Sequence, residues 1–222
     1  MKADLHIHTI FSYDGLPSPE EVVETAILKK IDCIAICDHG EIQGALLAQK
    51  FAKEKPILVI PGIEIKSKDG DILGLNIQKK IPDGLSTKET IEEILKQGGM
   101  PAIAHPFDYF LPFSQIEKYV SFFKEKKVAI EIFNGSLFFN FSNLEAQNFA
   151  KKHNLPFIVG SDAHSLNFIG KAFLEIQKDC NSIEQVLEEI KNKNTKVGFE
   201  KISPWSKFGD HLKRNLAKLR NL

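Results

Sequence analysis

A chain of 222 residues, 43% of them hydrophobic, can bury one large core, so neither disulfides nor metals are needed merely to fold it. Its 29 basic and 29 acidic residues cancel, which argues against a protein that lives on non-specific attraction to nucleic acid. Arginine occurs only at Arg214 and Arg220, so nothing before the tail offers a guanidinium fork for phosphate. The three cysteines, Cys33, Cys37 and Cys180, lack paired spacing and read as buried thiols, as expected in a reducing cytosol. The first residues enter a strand at once, leaving no room for a signal peptide, and no run reaches membrane-span length, so a cytoplasmic location is expected.

In chain order, residues 3–9 alternate apolar and polar as a strand does. Pro17-Ser18-Pro19-Glu20-Glu21 then carries a helix start, with a Ser cap, proline in the first turn and acids at the positive end, and Val22, Val23, Ala26 and Ile27 form its stripe. Residues 31–37 are an apolar strand ending in Asp38-His39-Gly40, followed by a helix bearing Ala45, Leu46, Ala48, Phe51 and Ala52. Residues 57–65 form a third strand region, interrupted at Pro61-Gly62, and the turn at Lys68-Asp69-Gly70-Asp71 returns residues 72–77 as a hairpin partner. Ser86-Thr87-Lys88-Glu89 is a capping box for a helix that stops at Gly98-Gly99. Strands at 101–104, 128–133 and 156–160 follow, separated by helices around 116–123 and 143–152. A seventh strand is expected at 172–176, before a capped helix at 182–191.

Strands alternating with helices imply a parallel sheet, and seven of them suggest closure into a barrel. In such folds functional groups sit at the carboxyl ends of strands. His6/His8, His39, Glu64, His105, Glu131/Asn134 and Asp162/His164 all fall at or just past the end of an apolar run. His6 and His8 lie two apart, so they project from one strand face about 7 Å apart and can converge on one ion. Asp14, in the turn-like Phe11-Ser12-Tyr13-Asp14-Gly15, can return a carboxylate to the same place. A mouth so packed with imidazoles and carboxylates is destabilised by desolvation and like charge unless cations neutralise it. Ligation by His, Asp and Glu without thiolate suits zinc, manganese or iron, with one carboxylate as a bridge. Asp38 reads either as a ligand or as a partner that orients a neighbouring His. His153 and His211 stand outside the set and read as solvated.

Asp4-Leu5-His6-Ile7-His8-Thr9, Ser12-Tyr13-Asp14-Gly15, Asp38-His39-Gly40, Pro61-Gly62-Ile63-Glu64-Ile65, Ala104-His105-Pro106 and Gly160-Ser161-Asp162-Ala163-His164 resemble, in this order, the motifs of the PHP (polymerase and histidinol phosphatase) family. The resemblance runs from the first residues to about Gly170. It implies a distorted (β/α)7 TIM-like barrel, a trinuclear centre of divalent metal ions and hydrolysis of phosphate esters. By motif, His6 and His8 would share one metal with Glu64 and Asp162. Glu64 would bridge to a second metal bound by His105, and Asp14, His39 and His164 would hold the third. Where many members have a His at the start of the hairpin strand, this chain has Asp71, a carboxylate able to ligate; Asn134 is a weaker oxygen donor for the same site.

The expectation is therefore a cytosolic phosphoesterase that hydrolyses small phosphate monoesters through a metal-bridged hydroxide. The third metal stands in for the missing arginine clamp, and Glu64, Asp162 and His164 are the catalytic candidates. A nuclease acting on DNA or RNA ends on the same barrel is the alternative, less favoured at zero net charge. An amidohydrolase would want a carboxylated Lys where Glu64 stands, and a non-catalytic interaction module would have eroded ligands. Residues 1–202 read as the barrel and residues 203–222 as a basic amphipathic C-terminal helix. Trp205, Phe208, Leu212, Leu216 and Leu219 share one face of that helix, and Lys207, His211, Arg214 and Lys218 the other. The plain expectation is that the apolar face packs on the barrel and the basic face is solvated; the sharper one is that the helix joins a partner or guides a polyanion. No membrane partner is expected, and oligomeric state is left open.

Overall fold

The computed structural model describes residues 1–200 and, beyond them, Gly209, Leu212, Arg214 and Asn215. The sequence begins with β1 (Lys2–Ile7), α1 (Pro19–Leu28), β2 (Cys33–Ile36), α2 (Gln43–Phe51), β3 (Leu58–Lys66) and β4 (Asp71–Leu75). It continues with α3 (Thr87–Lys96), β5 (Met100–Ile103), a 3-10 turn (Ile116–Tyr119) running into α4 (Val120–Lys126), β6 (Ala129–Asn134) and α5 (Asn140–His153). The last elements are β7 (Phe157–Gly160), β8 (Ala172–Ile176), α6 (Ile183–Lys191) and β9 (Thr195–Phe199).

Local chemistry sets the helix boundaries. Both Ser18 and Ser86 accept from the backbone three residues on, at Glu21 and Glu89, whose carboxylates return to the cap N–H, so two otherwise unpaired donors are satisfied at each start. The α3 helix stops where Gly98 takes φ 76°, a left-handed position that costs glycine nothing.

One sheet of nine strands runs β7-β6-β5-β4-β3-β2-β1-β8-β9. It curls until β7 meets β1, where Ile7 bridges Ala163 and His8 N–H donates to the Ala163 carbonyl at 2.8 Å. Strands β1 to β7 thus form a nearly closed, barrel-shaped ring, the distorted TIM-like architecture expected. Leu5, Ile7, Ile34, Ile36, Ile60, Ile63, Ile65, Ile72 and Leu73 are wholly buried within it, which is why strands such as β2 read as apolar runs.

Three expectations need correction. The third strand is not interrupted at Pro61-Gly62. β3 pairs in parallel with β2 as far as Pro61 and antiparallel with β4 from Gly62 onward, so the proline, with no N–H to give, sits where the strand changes partner. The expected seventh strand, β8, does not close the ring; it runs antiparallel to β1 on its far side, and β4 takes the seventh place. The β9 strand, antiparallel to β8, was not anticipated. The proposed helix over 203–222 lies outside the described residues except at four positions, and no helix among the described residues is long and apolar enough to cross a membrane.

Candidate metal centre

At the carboxyl ends of the strands, donor atoms of His6, His8 and Glu64 lie within 4.8 Å of one another. The same holds for His8, His39 and His164, and for Glu64, Asp71 and His105. The three groups overlap through His8 and Glu64. Glu64 spans them: its Oε1 lies 3.1 Å from His105 Nε2, while its Oε2 lies 3.0 Å from His39 Nδ1, 3.3 Å from His6 Nε2 and 3.4 Å from His8 Nε2. Asp162 Oδ1 is 3.1 Å from His8 Nε2. Asp14 Oδ1 is 3.2 Å from His164 Nε2 and 3.6 Å from His39 Nε2. All nine candidate ligands named from the sequence therefore gather here. The difference from the motif assignment is that His8 stands in two donor groups rather than one.

The outer hydrogen bonds decide which ring nitrogens can bind a cation. His6 Nδ1 faces Glu131 Oε1 at 3.0 Å, and a carboxylate only accepts, so Nδ1 carries the proton and Nε2 a lone pair. His8 Nδ1 is 2.9 Å from Ser12 Oγ. The Ser12 hydroxyl already donates to Asp38 Oδ1 at 3.2 Å and accepts from His39 N–H at 3.0 Å, so His8 also donates through Nδ1. Yet His6 Nε2 and His8 Nε2 lie only 3.0 Å apart: two lone pairs aimed at one point. His164 repeats the pattern, giving Nδ1–H to the Asp162 carbonyl at 3.0 Å and turning Nε2 towards the Asp14 carboxylate. Such a donor set fits divalent cations, since only a positive charge relieves these oppositions.

Electrostatics divide the rings. Burial and the neighbouring His164 and His39 hold His8 well below the usual imidazole range, the neutral form a metal requires. Burial would lower His6 too, but Glu131, Glu64 and Asp162 outweigh it and hold it high: these carboxylates call for positive charge at the ring, and a cation bound at Nε2 would take the place of the second proton. His105 is likewise pushed up to about 10, burial being outweighed by Glu64 and Glu131. Burial would raise Glu64 and Asp162, yet the surrounding imidazoles keep both carboxyls far below their ordinary values. Asp71 goes the other way, raised by burial and by Glu64.

Two of the candidate ligands sit on strained backbone: Asp162 has φ 52° and His105 φ 25°, positions a residue with a side chain rarely adopts. Each is over-determined by its surroundings. His105 N–H donates to Glu131 Oε2 at 2.7 Å. The Asp162 loop is tied to β1 by buried Asp4, which accepts from Ser161 N–H and Gly170 N–H at 2.8 Å each. Gly160 lets that loop come close, because a Cβ there would lie 2.3 Å from His6 Cβ. Asp38 proves to be a positioning residue: its oxygens take Thr9 N–H and Thr9 O–H at 2.6 and 2.7 Å, and Ser12 besides.

Sequence reasoning placed Glu131 at a strand end without a role and offered Asn134 as a weaker oxygen donor beside Asp71. Glu131 orients His6 and His105. Asn134 gives its amide to Glu131 at 3.1 Å and to Asp162 at 3.3 Å, while its oxygen is taken by Ser136, so Asp71, not Asn134, joins the donors. His153, expected to be solvated, is mostly buried and pairs with Glu117 at 3.2 Å. Arg214, read as part of a solvated stripe, lies 3.3 Å from Asp14 Oδ2 and lines the same cleft. Cys33, Cys37 and Cys180 are buried free thiols.

A nearly closed α/β barrel carrying cation-binding donors at its strand ends is the framework of a metal-dependent hydrolase, and the family match makes it a phosphoesterase. The PHP domain family model matches residues 4–98 and the PHP-associated model residues 140–195; the chain belongs to the PHP family. It is 40% identical over 117 residues to one uncharacterised protein of Methanocaldococcus jannaschii, a match covering 48% of this chain and 68% of that one. A second uncharacterised protein of the same organism is 32% identical over 183 residues, 80% and 71% of the two chains. Among solved structures, a two-domain protein from Bacteroides vulgatus containing a predicted PHP-like metal-dependent phosphoesterase superposes with a TM-score of 0.76 at 22% identity. That superposition covers 90% of this chain and 65% of the other, and shows a shared fold.

Proposed function

We propose that the protein hydrolyses small phosphate monoesters at a trinuclear centre of zinc, manganese or iron. His6, His8, Asp14, His39, Glu64, Asp71, His105, Asp162 and His164 would hold the ions. The observation that carries this reading is Glu64, whose two oxygens face different donor groups, as a bridging carboxylate must. When bound, the cations supply Lewis acidity, lowering the pKa of water and neutralising phosphate charge.

The chain's own residues do the rest. Glu131 and the Asp38–Ser12 pair hold the His6 and His8 rings in the tautomer that keeps Nε2 inward. Ser136 O–H, 2.5 Å from Asp162 Oδ2, and the Asn134 amide fix Asp162, leaving Oδ1 turned to the donor group beside His8, where it can ligate an ion or order the attacking water. His164, held through Nδ1, keeps Nε2 turned inward beside it. Arg214 brings a guanidinium to the cleft, where it can hold a non-bridging phosphate oxygen; it supplies the clamp that the barrel strands lack. The protein is read as cytoplasmic.

A cleft of about 400 Å³ lined by cation sites favours a dianionic terminal phosphate over an internal diester. Hydrolysis of matched aryl mono- and diesters with manganese or zinc tests this. The monoester should react faster by kcat/KM; the opposite ranking would transfer the reading to a nuclease.

A further inference from the structure

Seven large apolar side chains stand exposed together near the cleft: Tyr109, Phe110 and Leu111 on the loop after β5, and Phe138, Phe139, Phe141 and Leu144 on the loop after β6 and the first turns of α5. Tyr109 and Phe110 are 63% and 67% exposed. The rings touch one another rather than the core. Tyr109 meets Phe110, Phe139 and Phe141 edge-on at centroid distances of 5.3, 5.4 and 6.2 Å, and Phe139 stacks on Phe141 at 5.5 Å. Their exposure leaves ring surface open to a flat partner. A cluster of this size on a protein surface marks a binding site.

Its position says what binds. Phe110, Leu111, Phe138 and Phe139 line the same cleft as His39, Glu64, His105 and Asp162, so whatever touches the rings is held beside the reacting phosphate. The cleft also contains Ser142, a buried residue whose hydroxyl has no hydrogen-bond partner among the described residues. A ligand for this wall needs a flat apolar face and a polar edge. An alkyl chain lacks both the flat face and the edge. At the mouth Asp83 and Asp108 stand against Lys66 and Arg214, so it offers no run of cations for the further phosphates of a long polynucleotide.

We propose that the aromatic rim with Ser142 is a nucleobase subsite, so that the phosphate ester cleaved is that of a mononucleotide. The base stacks on Phe110 and Phe139, its edge meets Ser142, and the ribose carries the phosphate to the metal centre. Base–aromatic stacking commonly changes affinity roughly fivefold to hundredfold per base. This identification of the substrate rests on the phosphoesterase reading, and the experiment has one arm that does not.

That arm is fluorescence of 2-aminopurine riboside titrated with the chelated protein. Stacking should quench it, and Phe110→Ala and Phe139→Ala, both at exposed positions that tolerate truncation, should each weaken binding about tenfold. The second arm is kcat/KM with manganese for adenosine 5′- and 3′-monophosphate against ribose 5-phosphate. The nucleotide should be preferred, and each variant should reduce the preference about tenfold. No quenching, or a preference unmoved by both variants, overturns the proposal. So does octyl phosphate matching the nucleotide, which would make the rim a plain apolar patch, or a wild-type dimer in sedimentation that the variants split, which would make it an interface. If no phosphate ester is hydrolysed but quenching and its loss in the variants are seen, the subsite stands and the reaction assignment falls.

Discussion

The metal centre and the aromatic rim share one cleft and are built on opposite rules. At the centre most of the candidate ligands are buried, and the deepest have a second partner: His6 has Glu131, His8 has Ser12, itself tied to Asp38, and Asp162 has Ser136 and Asn134. At the rim the side chains are large, exposed and held chiefly by one another. Chemistry that tolerates little displacement is placed where rotamers and tautomers are over-determined. Recognition is placed on loops, where a changed residue alters what is bound without disturbing how it reacts. The two kinds of residue should therefore respond differently to mutation.

The largest effect is expected at Glu64. Glu64→Gln keeps the shape and removes the charge that two donor groups share, and activity should fall on the order of 10³-fold with loss of bound metal by elemental analysis. Wild-type turnover and metal content in this variant would break the assignment. Next comes Glu131→Gln, which touches no substrate. A 10- to 100-fold loss of metal affinity is expected, measured by competition with a chelator; an unchanged affinity would mean that His6 does not depend on its outer partner.

The smallest effect concerns stability and sets the two regions side by side. Ions present at a thousand times their dissociation constant stabilise a fold by about 4 kcal/mol. For a domain of this size their removal should lower Tm by roughly 8–16 °C. Phe110→Ala should stay within about 0.5 kcal/mol of the parent, a shift of no more than about 2 °C. A Tm insensitive to chelation, or a rim variant that unfolds, would erase the contrast.

What the sequence made legible follows the same division. His6 and His8 could be read because period two within one strand is a local property, and His39, Glu64, His105 and Asp162 because each ends an apolar run. The pairing of Glu131 with His6 spans 125 residues, and that of Arg214 with Asp14 spans 200. No periodicity reports such contacts. The reversed direction of β8 was hidden for a related reason: its apolar run fits a parallel or an antiparallel neighbour equally well. The rim went unremarked because Phe and Leu near a helix start read as core.

Asp4 bears on when the centre can exist at all. It joins β1 to a loop 157 residues later in the chain, and the candidate ligands His6 and Asp162 straddle that joint. During synthesis at about 5–20 residues per second, the first pair of imidazoles waits roughly 10 to 30 s for the carboxylate that completes its set. Non-local closure of this kind is also slow in itself. The nascent chain therefore carries an exposed His-x-His strand with no competing cage, and the sheet can lock only after β7 has arrived. Metal uptake should thus report the end of folding rather than initiate it.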